Sequence, residues 1–125
     1  MRQLTLQELR DTLEGTLTRW GVPLGTYTLP GGAQAPALWV GDVPEGTTVT
    51  GLEVLIPATP EQDVIQVMAG VITIDRYPVR LVSHDGQPIK TALNAVYHAF
   101  KTITDVNALP ATSDYPEQVV VTITP

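Results

Sequence analysis

The chain contains no cysteine. Disulfides, thiolate metal sites and cysteine nucleophiles are therefore excluded, and the chain suits a reducing compartment. Charge is scarce as well: Asp, Glu, Lys and Arg make up 16 % of residues. The seven basic residues are scattered, and no two are adjacent. Holding nucleic acid through its phosphates needs clustered Lys and Arg, so such binding is not expected as the main activity. No uninterrupted apolar run approaches the length of a membrane span. Residues 1–10 hold no apolar core of signal-peptide length. The expectation is a soluble cytoplasmic protein without a membrane partner.

What is present is a 125-residue chain with 43 % hydrophobic residues. A chain of this length buries roughly two-thirds of its unfolded surface and forms a core without staples. One domain, residues 1–125, is expected. Thirteen acids against seven bases give a net charge of −6. Eleven prolines and ten glycines point to long loops between a few regular elements.

The spacing predicts an amphipathic helix over residues 6–19. Thr5 and Glu8 have the positions of a capping box, and Leu4 and Leu9 those of a hydrophobic staple. Leu6, Leu9, Leu13, Leu17 and Trp20 follow a 3.6-residue period. Gly21 and Pro23 end the helix. Residues 20–36 then show no period and no charge. A loop of that length is uncommon in a compact domain unless it is functional or disordered. Its apolar members Tyr27, Leu29 and Pro30 are candidates for contact with a partner, against the plainer reading of a flexible connector.

Extended runs follow at 38–40, at 49 and 52–56, and at 71–83, where Tyr77, Val79 and Leu81 alternate with Arg76, Pro78 and Arg80. Residues 64–68 read as strand or irregular. Pro78 cannot donate to a ladder, so it marks an edge or a bulge. A second helix is expected over 89–104, with Leu93, Val96, Phe100 and Ile103 on its apolar stripe. Residues 105–116 read as a loop and 118–124 as a last strand. The order α-β-β-β-α-β predicts an α+β fold. Its sheet would be mixed, mostly antiparallel and four-stranded, with two helices packed on one face.

No catalytic constellation assembles from the sequence. His84 and Asp85 share a turn and form the one candidate acid–base pair, yet a capped strand end is the commoner meaning of such a turn. His98 lies off the apolar stripe of its helix. No H-x-x-x-H or H-x-H spacing occurs, so no metal site is expected. Ser83 lacks a Gly-x-Ser-x-Gly elbow. Gly31-Gly32 is followed by neither Gly-Lys-Ser/Thr nor a strand-to-helix turn, so it is no phosphate loop. Arg76 and Arg80 share one side of the long strand, where ion pairing is commoner than anion binding. The reading is non-enzymatic, with no cofactor. Open sheet edges, low charge and uncharged loops instead suggest a subunit that completes itself by assembly.

Three stretches carry a resemblance. They are the N-terminal helix (residues 4–20), the run Ala-Leu-Trp-Val-Gly-Asp…Gly-Leu-Glu-Val-Leu-Ile within 37–56, and Tyr-Pro-Val-Arg-Leu-Val-Ser-His-Asp at 77–85. The last of these leads directly into a helix and a final strand. In this arrangement the chain resembles the tail-terminator and neck proteins of tailed bacteriophages. The resemblance implies a virion structural protein assembled in the host cytoplasm. It implies a homo-oligomeric ring, usually of six subunits, that caps the tail tube and meets the head connector in head–tail joining. It also implies an acidic lumen through which DNA passes without tight binding. Asp42, Glu45, Glu61 and Asp63, at strand turns, are the lumen candidates. The alternatives are a head-closure or connector component, or a small α+β enzyme or ligand-binding domain that uses His84 and Asp85.

Overall fold

The computed structural model describes residues 5–84, 89–100, 103–109 and 117–123. The elements are α1 (Leu6–Arg19), β1 (Thr26–Thr28), β2 (Gln34–Pro36), β3 (Leu38–Val40), β4 (Thr48–Thr50) and β5 (Leu52–Ile56). They continue with β6 (Glu61–Val67), β7 (Gly70–Ser83), α2 (Lys90–Ala99), β8 (Ile103–Leu109) and β9 (Glu117–Ile123).

α1 forms where its period and cap place it. The Glu8 backbone N–H donates to Thr5 Oγ1 at 3.1 Å, satisfying one of the free donors at the helix start. The staple partner Leu4 lies outside the described residues. Leu9, Leu13 and Leu17 are buried. They share one core with Ala92, Ala95, Val96 and Phe100 and with one face of the larger sheet. Leu93, expected in that core, packs at its margin and is half-buried.

The larger sheet has six strands in the order β3-β5-β7-β9-β8, with β6 paired to β7 off that path. β3 runs parallel to β5, and the other pairs are antiparallel. Register sets Val54, Leu81 and Val119 abreast. Strand alternation then puts them on the face beneath the helices. The opposite face carries Glu53, Leu55, Pro78, Arg80 and Val120.

The expected four-stranded sheet is corrected by this architecture. Among the described residues there are nine strands in two sheets. Residues 20–36 are not a structureless loop. They contain β1 and β2, which form a separate antiparallel sheet with β4 in the order β2-β1-β4. Each of these strands has three residues, too few for alternation to show in a sequence. The second helix stops at Ala99, and Phe100 is already extended at φ −123°, ψ 123°. Ile103, Thr104 and Val106 are β-branched, and that favours strand over helix. β8 therefore occupies ground expected to be helix end and loop.

Two glycines let the chain pass between sheets. Gly51 has φ +81°, a conformation that L side chains seldom adopt. It turns the chain from β4 in one sheet to β5 in the other. Gly25 is pressed against that same crossing, where a Cβ would lie 1.8 Å from the Thr50 carbonyl oxygen. Its N–H donates to Leu52 O at 2.8 Å, and its carbonyl accepts from Ala37 N–H at 3.0 Å.

These placements predict opposite outcomes for two identical substitutions. Gly25→Ala should destabilise the protein severely, because the obstructing atom is backbone. Gly15→Ala meets nothing within 4 Å and should stabilise α1 by about 0.5–1 kcal/mol. Urea unfolding of both variants is the measurement. A Gly25→Ala midpoint equal to wild type would place the sheet crossing elsewhere.

Candidate functional site

β7 has two unlike halves. Residues 77–83 pair with β9 in the main sheet, and 80–83 of them also pair with β5 on the other side. Residues 70–76 pair with β6, from Glu61 opposite Arg76 to Val67 opposite Gly70. The result is a hairpin arm of seven cross-strand pairs, reaching about 23 Å at strand rise. Pro78 stands where β7 leaves β5, whose last partner is Arg80.

The arm is apolar where it is most exposed. Val64 is 67 % exposed, Val71 is 64 % exposed, and Met68 at the tip is fully exposed. Ile65, Val67 and Ile72 are exposed too. Cross-strand register puts Ile65 against Ile72, so they share one face with Val67 and Ile74. The other face alternates Val64 and Val71 with Thr73 and Gln66. Residues 64–74 carry no charge at all. Exposed apolar patches of several hundred Å² mark interaction surfaces on soluble proteins.

A second cluster lies at the junction of the sheets. Glu53 sits in the apolar strand Leu-Glu-Val-Leu-Ile and is 8 % exposed. A buried carboxylate needs donors, and two other segments supply them. The Tyr27 hydroxyl donates to Glu53 Oε2 at 2.6 Å. His84 Nε2 lies 2.8 Å from Glu53 Oε1, and with its proton on that nitrogen the imidazole donates as well. The Trp39 ring meets Tyr27 edge to face at 5.9 Å. Trp39 Nε1–H in turn donates to the Asp42 carbonyl at 3.0 Å. Burial above all, then the hydrogen bond it donates to Glu53 and that carboxylate's charge, push the Tyr27 phenol above its ordinary range. Both carboxylate oxygens are thus engaged in joining β1, β5 and the end of β7.

The expected site residues separate. Tyr27 is wholly buried, with its hydroxyl on Glu53. Leu29 is half-buried and Pro30 is exposed, beside the turn closed by Leu29 N–H to Ala33 O at 2.7 Å. Asp42 and Glu45 are exposed on the β3–β4 connection, and Glu61 is exposed at the root of the arm. Asp63 lies on β6 opposite Ile74. His84 pairs with Glu53, while Asp85 lies outside the described residues. His98 stacks against Trp20 at 4.7 Å, tying the end of α1 to α2. Among the described residues, no group of three His, Asp or Glu is placed to hold a metal, and no helix is long and apolar enough to cross a membrane.

Sequence reasoning missed Glu53 and the arm. The signal for Glu53 was a lone carboxylate inside an apolar strand. The signal for the arm was a pair of β-branched, charge-free runs broken at Met68-Ala69-Gly70, which is hairpin spacing. No protein-family profile matches the chain, and neither curated proteins nor solved structures give a match.

The buried phenol sets an alkaline limit on stability. Its folded pKa lies above the unfolded value of 10.0. Its contribution is therefore whole below about pH 10 and declines as pH rises past it. Tyr27→Phe should cost about 1–3 kcal/mol at neutral pH by leaving Glu53 short of a donor. The same variant should show a shallower loss of stability between pH 9 and about pH 11. Equal slopes in chemical denaturation for the two proteins would assign the alkaline limit to other groups.

Proposed function

We propose that this chain is a structural subunit that assembles with copies of itself through the β6–β7 arm. The carrying observation is the charge-free, exposed apolar end of that arm. Among the described residues, nothing covers Val64, Met68 or Val71, and a two-stranded hairpin is marginally stable in water by itself. Packing against a neighbour removes both costs together. This mode of use agrees with the ring that the tail-terminator resemblance implies, at the junction of a phage tail tube and head connector. The Glu53 cluster serves this reading as a brace: it fixes the small sheet to the body from which the arm projects.

Sedimentation velocity with negative-stain imaging tests the assembly. Wild type should sediment as a closed oligomer at micromolar concentration. Ile72→Glu places a carboxylate in the apolar face of the arm, where burial against a neighbour would be costly. It should sediment as a monomer while its unfolding free energy stays within about 0.5 kcal/mol of wild type. A monomeric wild type would end the proposal.

The ring reading also bears on charge. Asp42, Glu45 and Glu61 are exposed, and a negative wall repels phosphate. The wild-type oligomer should retain little DNA at low salt. A variant with Asp42, Glu45, Glu61 and Asp63 changed to Lys should retain it, with retention falling steeply as salt rises. Tight DNA retention by wild type would contradict an acidic passage.

A further inference from the structure

Met68 carries the only sulfur among the described residues. The chain has no cysteine and two methionines, and Met1 lies outside the described residues. Met68 and Ala69 connect β6 to β7, since Val67 pairs with Gly70. The thioether is fully exposed at this tip. Ala69 and Gly70 are exposed beside it, and a Cβ built on Gly70 would meet nothing within 4 Å. The described body thus leaves the tip open to a small reagent. Chemistry then separates Met68 from the rest of the arm. Peroxides convert a thioether to its sulfoxide, whereas the side chains of Val64, Ile65, Val67, Val71 and Ile72 are saturated hydrocarbon and offer such an oxidant nothing. The chain holds no thiol that would react first.

We infer that Met68 is a reversible oxidation site for hydrogen peroxide, and that its oxidation weakens the contact made by the arm. The inference rests on the assembly reading above and adds a means of regulating it. In the step, the sulfur lone pair attacks one peroxide oxygen. An S–O bond forms as the O–O bond breaks. The other oxygen leaves as hydroxide, takes the proton of the transferred oxygen and departs as water. The sulfur gives up an electron pair, and the peroxide is reduced by it. Methionine sulfoxide reductases run the change backwards.

The product differs from Met68 in the property on which the contact depends. The sulfoxide is polar and chiral where the thioether is apolar and flexible. Its neighbours Val67, Val71 and Ile72 have no side-chain hydrogen bond to give. A contact that closes over the sulfoxide strips its oxygen of water without replacing that water, and loses the cost of an unpaired polar group. Such a loss raises the dissociation constant about tenfold or more. The coupling also runs the other way. A contact that covers the tip hides the sulfur, so peroxide reaches Met68 through the free subunit, and mass action towards the oligomer slows the reaction. Unassembled subunits are therefore the ones marked, and the mark keeps them apart.

The test treats the full chain with hydrogen peroxide and follows it by peptide mapping and sedimentation velocity. Met68 should gain one oxygen, and the oligomer should shift towards monomer with unchanged far-ultraviolet circular dichroism. Methionine sulfoxide reductases should restore both the mass and the oligomer. Oxidation of Met68 should slow about tenfold when the protein is concentrated enough to assemble. Met68→Gln, which puts a polar amide at the tip without any oxidant, should weaken assembly in the same direction. A Met68 that stays unmodified while free methionine in the same solution is oxidised would remove the site. An oligomer of unchanged size that carries the sulfoxide at Met68 would overturn the regulation and leave self-assembly standing. Peroxide-driven dissociation of Met68→Leu would assign the effect to another group. Untreated wild type that is monomeric at every concentration would instead end the assembly reading, and the regulation with it.

Discussion

Glu53 is a carboxylate inside an apolar strand, and the rest of the architecture is arranged around keeping it partnered. Left alone at 8 % exposure, it would cost more than most single contacts return. One of its oxygens takes the Tyr27 hydroxyl and the other faces His84. Tyr27 belongs to the small sheet, Glu53 to the large one, and His84 to the bend that ends β7. Two sheets that share no ladder are thus joined by this carboxylate as well as by the backbone bonds Gly25 N–H to Leu52 O and Ala37 N–H to Gly25 O. Gly25 and Gly51 serve the same junction in the backbone, since the strands cross there too closely for a side chain at Gly25.

The helical part of the fold was legible because helices write long periods. Thr5, the leucines at 9, 13 and 17, and Gly21 together specify α1, and its bounds follow residue by residue. β7 was legible for the same kind of reason: Tyr77, Val79 and Leu81 alternate with Arg76, Pro78 and Arg80 long enough to declare two faces. The small sheet was not legible. Its three-residue strands write no period, and their glycines and prolines read as loop. β8 was hidden by the apolar spacing of Phe100 and Ile103, which fits a helix until the β-branched run decides otherwise. The Tyr27–Glu53 bond was not legible either, because nothing local predicts that a phenol will meet a glutamate 26 positions away.

The exposed arm was not legible. The sequence offers no metal-ligand spacing and no nucleophile motif, and neither absence locates an exposed surface. Exposure decides that, and exposure is a tertiary property. Val64 and Val71 have the same composition as Val79 and Val121, yet the first pair is bare and the second lies in the core. The difference is that β7 outruns its neighbours. Among the described residues, β7 beyond Tyr77 pairs with β6 alone, and no helix residue joins that half in the core.

An exposed, flat, apolar hairpin is ordinarily a hazard, because its open edges invite indiscriminate pairing. Here the body opposes that hazard. Under the proposed assembly, a net charge of −6 on a chain of 125 residues keeps copies apart except where the uncharged arm makes the contact. Repulsion between bodies is long-ranged and orientation-blind, whereas apolar burial acts only at contact and scales with the area removed from water. Combining the two leaves few productive encounters, each with the arm leading. A chain with the same arm and a neutral body would associate in many registers.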